Sequence, residues 1–328
     1  MSEQPQAAQT EASGLADKRS GKPDRADKRS RRTRRMMRSS LTLGLLMAVG
    51  GAMLWGMNGT LSKYLMSHYG VTPLWFSCVR QLCAGVLFLA CAAWRTPRSL
   101  KGVVSSPREM LRMLWLALFC VLFVQVGYLE AIDWTNSATA TVLQSVNILI
   151  VLVYVCIRSR KAPRRRDAIG AVLALIGVYL LATQGDPTRL ALPWQGLAWG
   201  LGEAVATAGM AILPLRDIAK WGNFTVNAVT FLMSGVVLLS VAPPWRGVPA
   251  LDATGWVLVA LSVVFGTFAA FGLFLKGVSV IGSVRGAMVG TIEPVTAAVT
   301  SAVCLGTSFT GMDLAGFAAI ITMVFLTA

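Results

Sequence analysis

Six ionisable side chains sit within long apolar stretches: Lys63, Arg80, Glu130, Glu203, Arg285 and Glu293. A charge at the centre of a hydrocarbon layer costs at least about 2.5–3.5 kcal/mol on insertion scales, so such residues face a cavity or a partner. Glu203 and Glu293 are the candidates for proton coupling. They lie about nine and about fifteen residues into their stretches, which at about 1.5 Å per helical residue puts both near mid-depth. Glu293 is followed by Pro294, which frees a carbonyl one turn earlier and breaks the helix at the site. A loosened backbone at mid-depth is typical of transporter sites. Two readings of Glu293 stay open: a proton acceptor or substrate-amine partner, or a buried carboxyl paired with Arg285 or Arg80 to lock the bundle. Arg285 shares a helix face with Glu293 but stands about 12 Å away along the axis, which disfavours a direct pair. It is expected to snorkel to the interface. Arg80 lies deeper and offers a planar fork for a carboxylate or phosphate. A structural pair with Glu203 or Glu130 is its alternative. Lys63 and Glu130, near a boundary, read as interfacial.

Uncharged polar residues extend the candidate cavity. Asn58, Gln125, Gln144 and Asn147 are amides inside apolar stretches, and an amide in lipid must find a partner, so they face the interior. Trp55, Tyr128 and Phe271 are candidate aromatic walls, although packing is the ordinary role of any one of them. Thr291 joins the set because it aligns with Gln144 across the repeat described below. No catalytic and no metal-ligating set is expected. His68 is the single histidine, placed in a short loop, and the six cysteines form no C-x-x-C pair, so metal and disulfide frameworks are not indicated. No G-x-x-x-x-G-K-[ST] stretch is present, which argues against direct ATP use. No cofactor is expected. An intramembrane enzyme is disfavoured, because H-E-x-x-H is missing and no carboxylate pair occurs at helical spacing in a span.

The elements that must position these residues follow from composition. Of 328 residues, 55% are hydrophobic and only 14% charged, and mean hydropathy is +0.62. A soluble fold of this length cannot hide so much apolar surface, whereas lipid can replace the missing interior. Ten apolar runs are expected as helices: 41–66, 72–94, 110–132, 137–157, 168–184, 194–215, 224–242, 254–275, 278–302 and 311–328. Nearly all prolines fall at their ends or between them, as helices require.

The net charge of +15 is not spread evenly: eleven of 30 Lys and Arg lie between Lys18 and Arg38. Residues 1–38 are expected to form a disordered basic cytoplasmic tail. With that tail inside, 25 basic residues fall in inside segments and two, Arg189 and Arg246, outside. That is a strong positive-inside bias with both termini cytoplasmic. The distribution argues against nucleic acid as a partner. A small-molecule substrate and the lipid bilayer are the expected partners, with a homodimer left open.

Ile169–Ala182 is similar to Ala315–Ala328 at an offset of 146, and Thr135–Asn147 to Gly282–Pro294 at 147. Gly44 and Gly50 match Gly196 and Gly202 at 152. Steady offsets imply two related five-span halves, 41–184 and 194–328. Five is odd, so the second half enters the membrane inverted, with the site between the halves. Small residues recur every four positions, as in Ala48, Ala52, Gly56 and Thr60, and let helices approach closely.

Against this background the chain resembles the drug/metabolite transporter superfamily, EamA branch. The likeness rests on Trp55-Gly56 with Asn58, Arg80, Tyr128 to Asn147, Arg164 to Ala182, and Glu293-Pro294. It departs at Asn147, often proline in the family, and at Thr307, often glutamate. The resemblance implies an all-α membrane protein of ten transmembrane helices in two inverted five-helix repeats. It also implies a secondary transporter, an exporter of an amino acid or related small metabolite across the plasma membrane. A non-transporting membrane scaffold or sensor is the alternative.

Overall fold

The computed structural model describes residues 25–327, with side chains described from Leu41 onward except at 283, 284 and 287. Two units divide the chain, Met1–Leu43 and Gly44–Ala328. Everything below concerns the second unless stated. Among the described residues there is helix and no strand.

The first helix, α1, runs Arg25–Tyr69. Part of the tail expected to be disordered, 25–38, is therefore helical; residues 1–24 lie outside the described residues. His68, expected in a loop, occupies the last turn of α1, stacked on Tyr64 at 5.1 Å. Next come α2 (Pro73–Arg95) and a short helix α3 (Pro97–Val104). The third apolar run is composite: α4 (Pro107–Leu116), a π-helical segment π1 (Ala117–Leu122) and α5 (Phe123–Trp134). The fourth is broken into α6 (Ser137–Gln144) and α7 (Asn147–Ser159), and α8 (Arg165–Thr183) follows. The second half opens with α9 (Trp194–Ile212), bent by 43° at Leu213-Pro214 into α10 (Leu215–Trp221). Then come α11 (Asn223–Leu239), α12 (Ala253–Leu261), π2 (Ser262–Ala269) and α13 (Ala270–Ile281). The chain closes with α14 (Ser283–Gly290), α15 (Ile292–Leu305) and α16 (Gly311–Thr327).

The starts are written in the sequence. Prolines occupy the first turn of α2, α3 and α4, where a missing N–H costs nothing. Asn136 caps α6 by accepting from Thr139 N at 2.9 Å, and Asp252 caps α12 by accepting from Gly255 N at 2.7 Å. Gly306, at φ 65°, ends α15 in the left-handed region that glycine tolerates best.

Among the described residues, seven helical stretches suffice by length and composition to cross a membrane, or eight if the bent α9–α10 pair is one span. Two further apolar helices, α11 and α16, have 17 residues each. At 1.5 Å per residue that is about 26 Å, just short of a hydrocarbon core of about 30 Å. The chain is a multi-pass membrane protein.

The same irregularities recur in both halves. The π segments begin at Ala117 and Ser262, 145 residues apart, and the broken spans part after Gln144 and Gly290, 146 apart. Packing is reciprocal too. Helix α2 lies along α11, α8 along α16, and α6 against α15; π2 touches α2 as π1 touches α11. Helix α9 packs on α5 and α7. In turn α1 packs on α13, through Gly277 beside Ala48, and on α15, through Gly56 beside the Glu293 carbonyl. The small-residue stripes are what permits this closeness. A Cβ at Gly56 would stand 2.5 Å from that carbonyl oxygen.

Candidate functional site

Arg80, in the middle of α2, is buried to 4% exposure. Its guanidinium is held by neutral oxygens. Nε donates to Thr267 Oγ1 at 3.3 Å and Nη2 to Gln125 Oε1 at 3.1 Å, while Nη1 has no partner. The expected alternatives, a pair with Glu203 or with Glu130, are not formed: no carboxylate lies within ion-pair distance of Arg80 among the described residues. The π2 segment explains why Thr267 is available. Its hydroxyl also donates to the Ser262 carbonyl, five residues back, at 3.1 Å, the spacing of a π rather than an α turn. Ser262 Oγ in turn donates to Asn58 Oδ1 at 2.6 Å. Gly266 faces that amide, and any Cβ there would overlap the Asn58 side chain. Asn58, Ser262, Thr267, Arg80 and Gln125 thus form one connected polar line across α1, π2, α2 and α5.

A second line is built from hydroxyls. Tyr128 Oη and Thr141 Oγ1 are 2.9 Å apart, and the Thr141 hydroxyl donates to the Ser137 carbonyl at 2.6 Å. Ser137 Oγ lies 3.1 Å from Thr60 Oγ1 and 2.7 Å from Ser301 Oγ. Thr60 also reaches Thr300 at 2.6 Å. This line ties α5, α6, α1 and α15 together.

Two carboxyls complete the centre. Glu203 on α9 is 1% exposed; Oε1 accepts from Thr207 Oγ1 at 2.8 Å and Oε2 has no partner. Gln144 lies close enough to interact with it. Gly127 packs against its stem, where a Cβ would come within 3.1 Å. A cavity of about 580 Å³ between α5 and α9 reaches Glu203 past Phe123 and Trp199. Glu293 stands in the first turn of α15, where the helix dipole favours negative charge. It is half-buried and makes no hydrogen bond or ion pair among the described residues. The pairing with Arg285 or Arg80 weighed for it is therefore not formed. The break at Thr291 separates it from α14, and Arg285 is exposed. Tyr128 is the common neighbour, within electrostatic reach of Arg80, Glu203 and Glu293 alike.

Other candidates serve the backbone. At the α6–α7 break Asn147 Nδ2 donates to the Gln144 carbonyl at 2.7 Å. At the α14–α15 break the Thr291 hydroxyl donates to the Met288 carbonyl at 2.7 Å. The first satisfies a carbonyl that the interrupted helix leaves open, and the Met288 carbonyl also accepts from the Thr291 backbone N–H at 3.3 Å. Pro294, buried in the first turn of α15, has no N–H to give the Gly290 carbonyl one turn earlier, and the span parts there, after Gly290. The Trp55 ring meets Phe271 at 4.9 Å and Phe274 at 4.8 Å. Phe271 continues to Phe231 at 5.7 Å and Phe88 at 6.4 Å. These rings form an aromatic floor that contributes packing more than contact chemistry.

Sequence reasoning missed Thr267 and Ser262, because nothing in a run of apolar residues announces a π turn. It also missed Gln81, fully buried with both amide atoms unpartnered. Its signal was available, since it is a second polar residue beside Arg80. The ion pairs of Asp217 with Arg112 and Glu109 with Lys220, each at 2.6 Å, were hidden by treating these residues as loop charge.

Apolar spanning helices around buried, unpartnered charges define a class: multi-pass membrane transporters. The chain belongs to the EamA-like transporter family, whose pattern matches residues 42–183 and again 194–328. It is 30% identical over 283 residues to the uncharacterized inner membrane transporter YicL of Salmonella typhimurium, covering 86% of this chain and 94% of that protein. It is 26% identical over 269 residues to the uncharacterized transporter YwfM of Bacillus subtilis, covering 78% and 83%. One solved crystal structure of another protein matches with a TM-score of 0.61 at 15% identity, over 86% of this chain and 95% of its own. At that identity the likeness is one of fold.

Proposed function

We propose that the protein is a secondary transporter that exports a small zwitterionic metabolite, an amino acid or close relative, across the plasma membrane by alternating access. One observation carries this reading. Arg80 Nη1 and Glu203 Oε2 are both buried and both lack a partner. Leaving a charged group unsatisfied in a low-dielectric interior is expensive. A ligand bearing a carboxylate and an ammonium satisfies both. Proton coupling is assigned to Glu293, which has no protein partner to give up when it changes charge.

The architecture proposed with this function is ten spans in two inverted five-helix repeats, both termini cytoplasmic. The matched π segments and breaks support the repeat, and the split of 25 basic residues to two supports the orientation. Proteoliposome transport of a labelled amino-acid panel, with and without an imposed pH gradient, is the test. Transport of neutral zwitterions is expected to follow the gradient and to lose that dependence in Glu293→Gln. Gradient-driven transport that survives Glu293→Gln unchanged removes the coupling role. Preference for substrates lacking a carboxylate removes the role of Arg80. Cysteine labelling of 158–166 from outside the cell would overturn the orientation.

A further inference from the structure

A cavity of about 780 Å³ opens between α4 and α10, away from the central site. Four cationic side chains line it, Arg108, Arg112, Arg216 and Lys220, against two carboxylates, Glu109 and Asp217. Both carboxylates are already taken. Arg112 Nε donates to Asp217 Oδ1 at 2.6 Å, and Lys220 Nζ donates to Glu109 Oε1 at 2.6 Å. Trp221 Nε1 adds a donor to Glu109 Oε2 at 3.3 Å. Arg108 and Arg216 have neither hydrogen bond nor ion pair among the described residues. Two arginines, one from each half of the sequence, thus face one cavity with no counter-charge.

The rest of the wall is apolar and turned outward. Leu111, Trp115 and Leu213 are all exposed, and in a membrane protein such residues meet acyl chains. Two free guanidinium groups match phosphate geometry through paired N–H donors. Basic pockets at helix ends are also where phospholipid headgroups dock.

We propose that this cavity binds the phosphate of an anionic phospholipid headgroup, with Arg108 and Arg216 as its donors and an acyl chain against Leu111, Trp115 and Leu213. Free phosphate shares the headgroup chemistry but makes no use of the apolar wall. The inference is independent of the transported substrate.

The full chain in nanodiscs of phosphatidylethanolamine with a minor share of phosphatidylglycerol provides the test, with retained lipid read by native mass spectrometry. The double variant R108Q/R216Q is expected to retain phosphatidylglycerol about tenfold less or worse, the scale of losing one charge-assisted hydrogen bond. R108K/R216K, which keeps the charge, should retain more than the glutamine pair. R164Q/R166Q, which removes equal charge elsewhere, should leave retention unchanged. Unchanged retention in R108Q/R216Q, or equal loss in R164Q/R166Q, overturns the site. A second arm uses lipid-stripped protein in detergent. A melting shift with phosphatidylglycerol and none with inorganic phosphate upholds the lipid. A shift with inorganic phosphate alone, lost in R108Q/R216Q, reassigns the site to a free anion and overturns the lipid reading.

Discussion

Arg80→Lys keeps the charge at the centre of the bundle and changes only the number of donors. The arginine deploys three nitrogens: one bonded to Thr267, one to Gln125 and one free. Lysine brings a single ammonium on a flexible stem and cannot satisfy two neutral oxygens while presenting a fork to a ligand. If it stays with the protein oxygens, the substrate loses one charge-assisted hydrogen bond, about 1.5–3 kcal/mol. At about 1.4 kcal/mol per factor of ten, KM for a zwitterion should rise about tenfold to about a hundredfold. Maximal rate should change less, because the positive charge at the centre of the bundle is kept. The assay is concentration-dependent uptake into proteoliposomes, with the melting temperature of each variant measured in parallel. A KM within twofold of the parent protein, at matched stability, would refute the assignment of Nη1 to the substrate.

Gly56→Ala should lower stability by about 1–3 kcal/mol through overpacking, since its Cβ would meet backbone atoms of α15. Gly50→Ala, with nothing within 4 Å of its Cβ, should be neutral, so thermal melting of the pair isolates the contact. Arg112→Ala should destabilise by about 1–3 kcal/mol because Asp217 is left buried without its partner. Adding Asp217→Asn should recover part of the loss, and a simply additive double mutant would contradict the pairing. The Asp252 carboxyl is held below its ordinary range, first by the Gly255 backbone N–H and then by the Tyr69 hydroxyl. Its contribution is therefore full above the ordinary aspartate pKa and fades as pH falls through the lower folded value. Melting temperature should drop more steeply on acidification below about pH 4 in the parent than in Asp252→Ala, since aspartate ordinarily titrates near there.

The helical character, most helix boundaries and the burial of Arg80, Asn58, Gln125 and Glu203 were legible because each rests on local rules. Apolar length marks a span, proline and cap residues mark its start, and an amide among aliphatics must turn inward. Two things were not legible. The partners of Arg80 are neutral, because opposite charges on separate helices pair only if the bundle aligns them. The π segments left no compositional mark, since Ala117–Leu122 is built from the same residues as any apolar helix.

Each π segment means that one residue more than an α-helix would use fits into a turn. In an α-helix one residue is about 100° of rotation, so the surplus sets the azimuth of everything downstream. Gln125 and Tyr128 follow the first segment and Phe271 the second. Restoring α geometry in either segment without removing a residue would rotate its followers by about 100° around the rod. One such surplus sits in each half, just ahead of residues at the centre of the bundle.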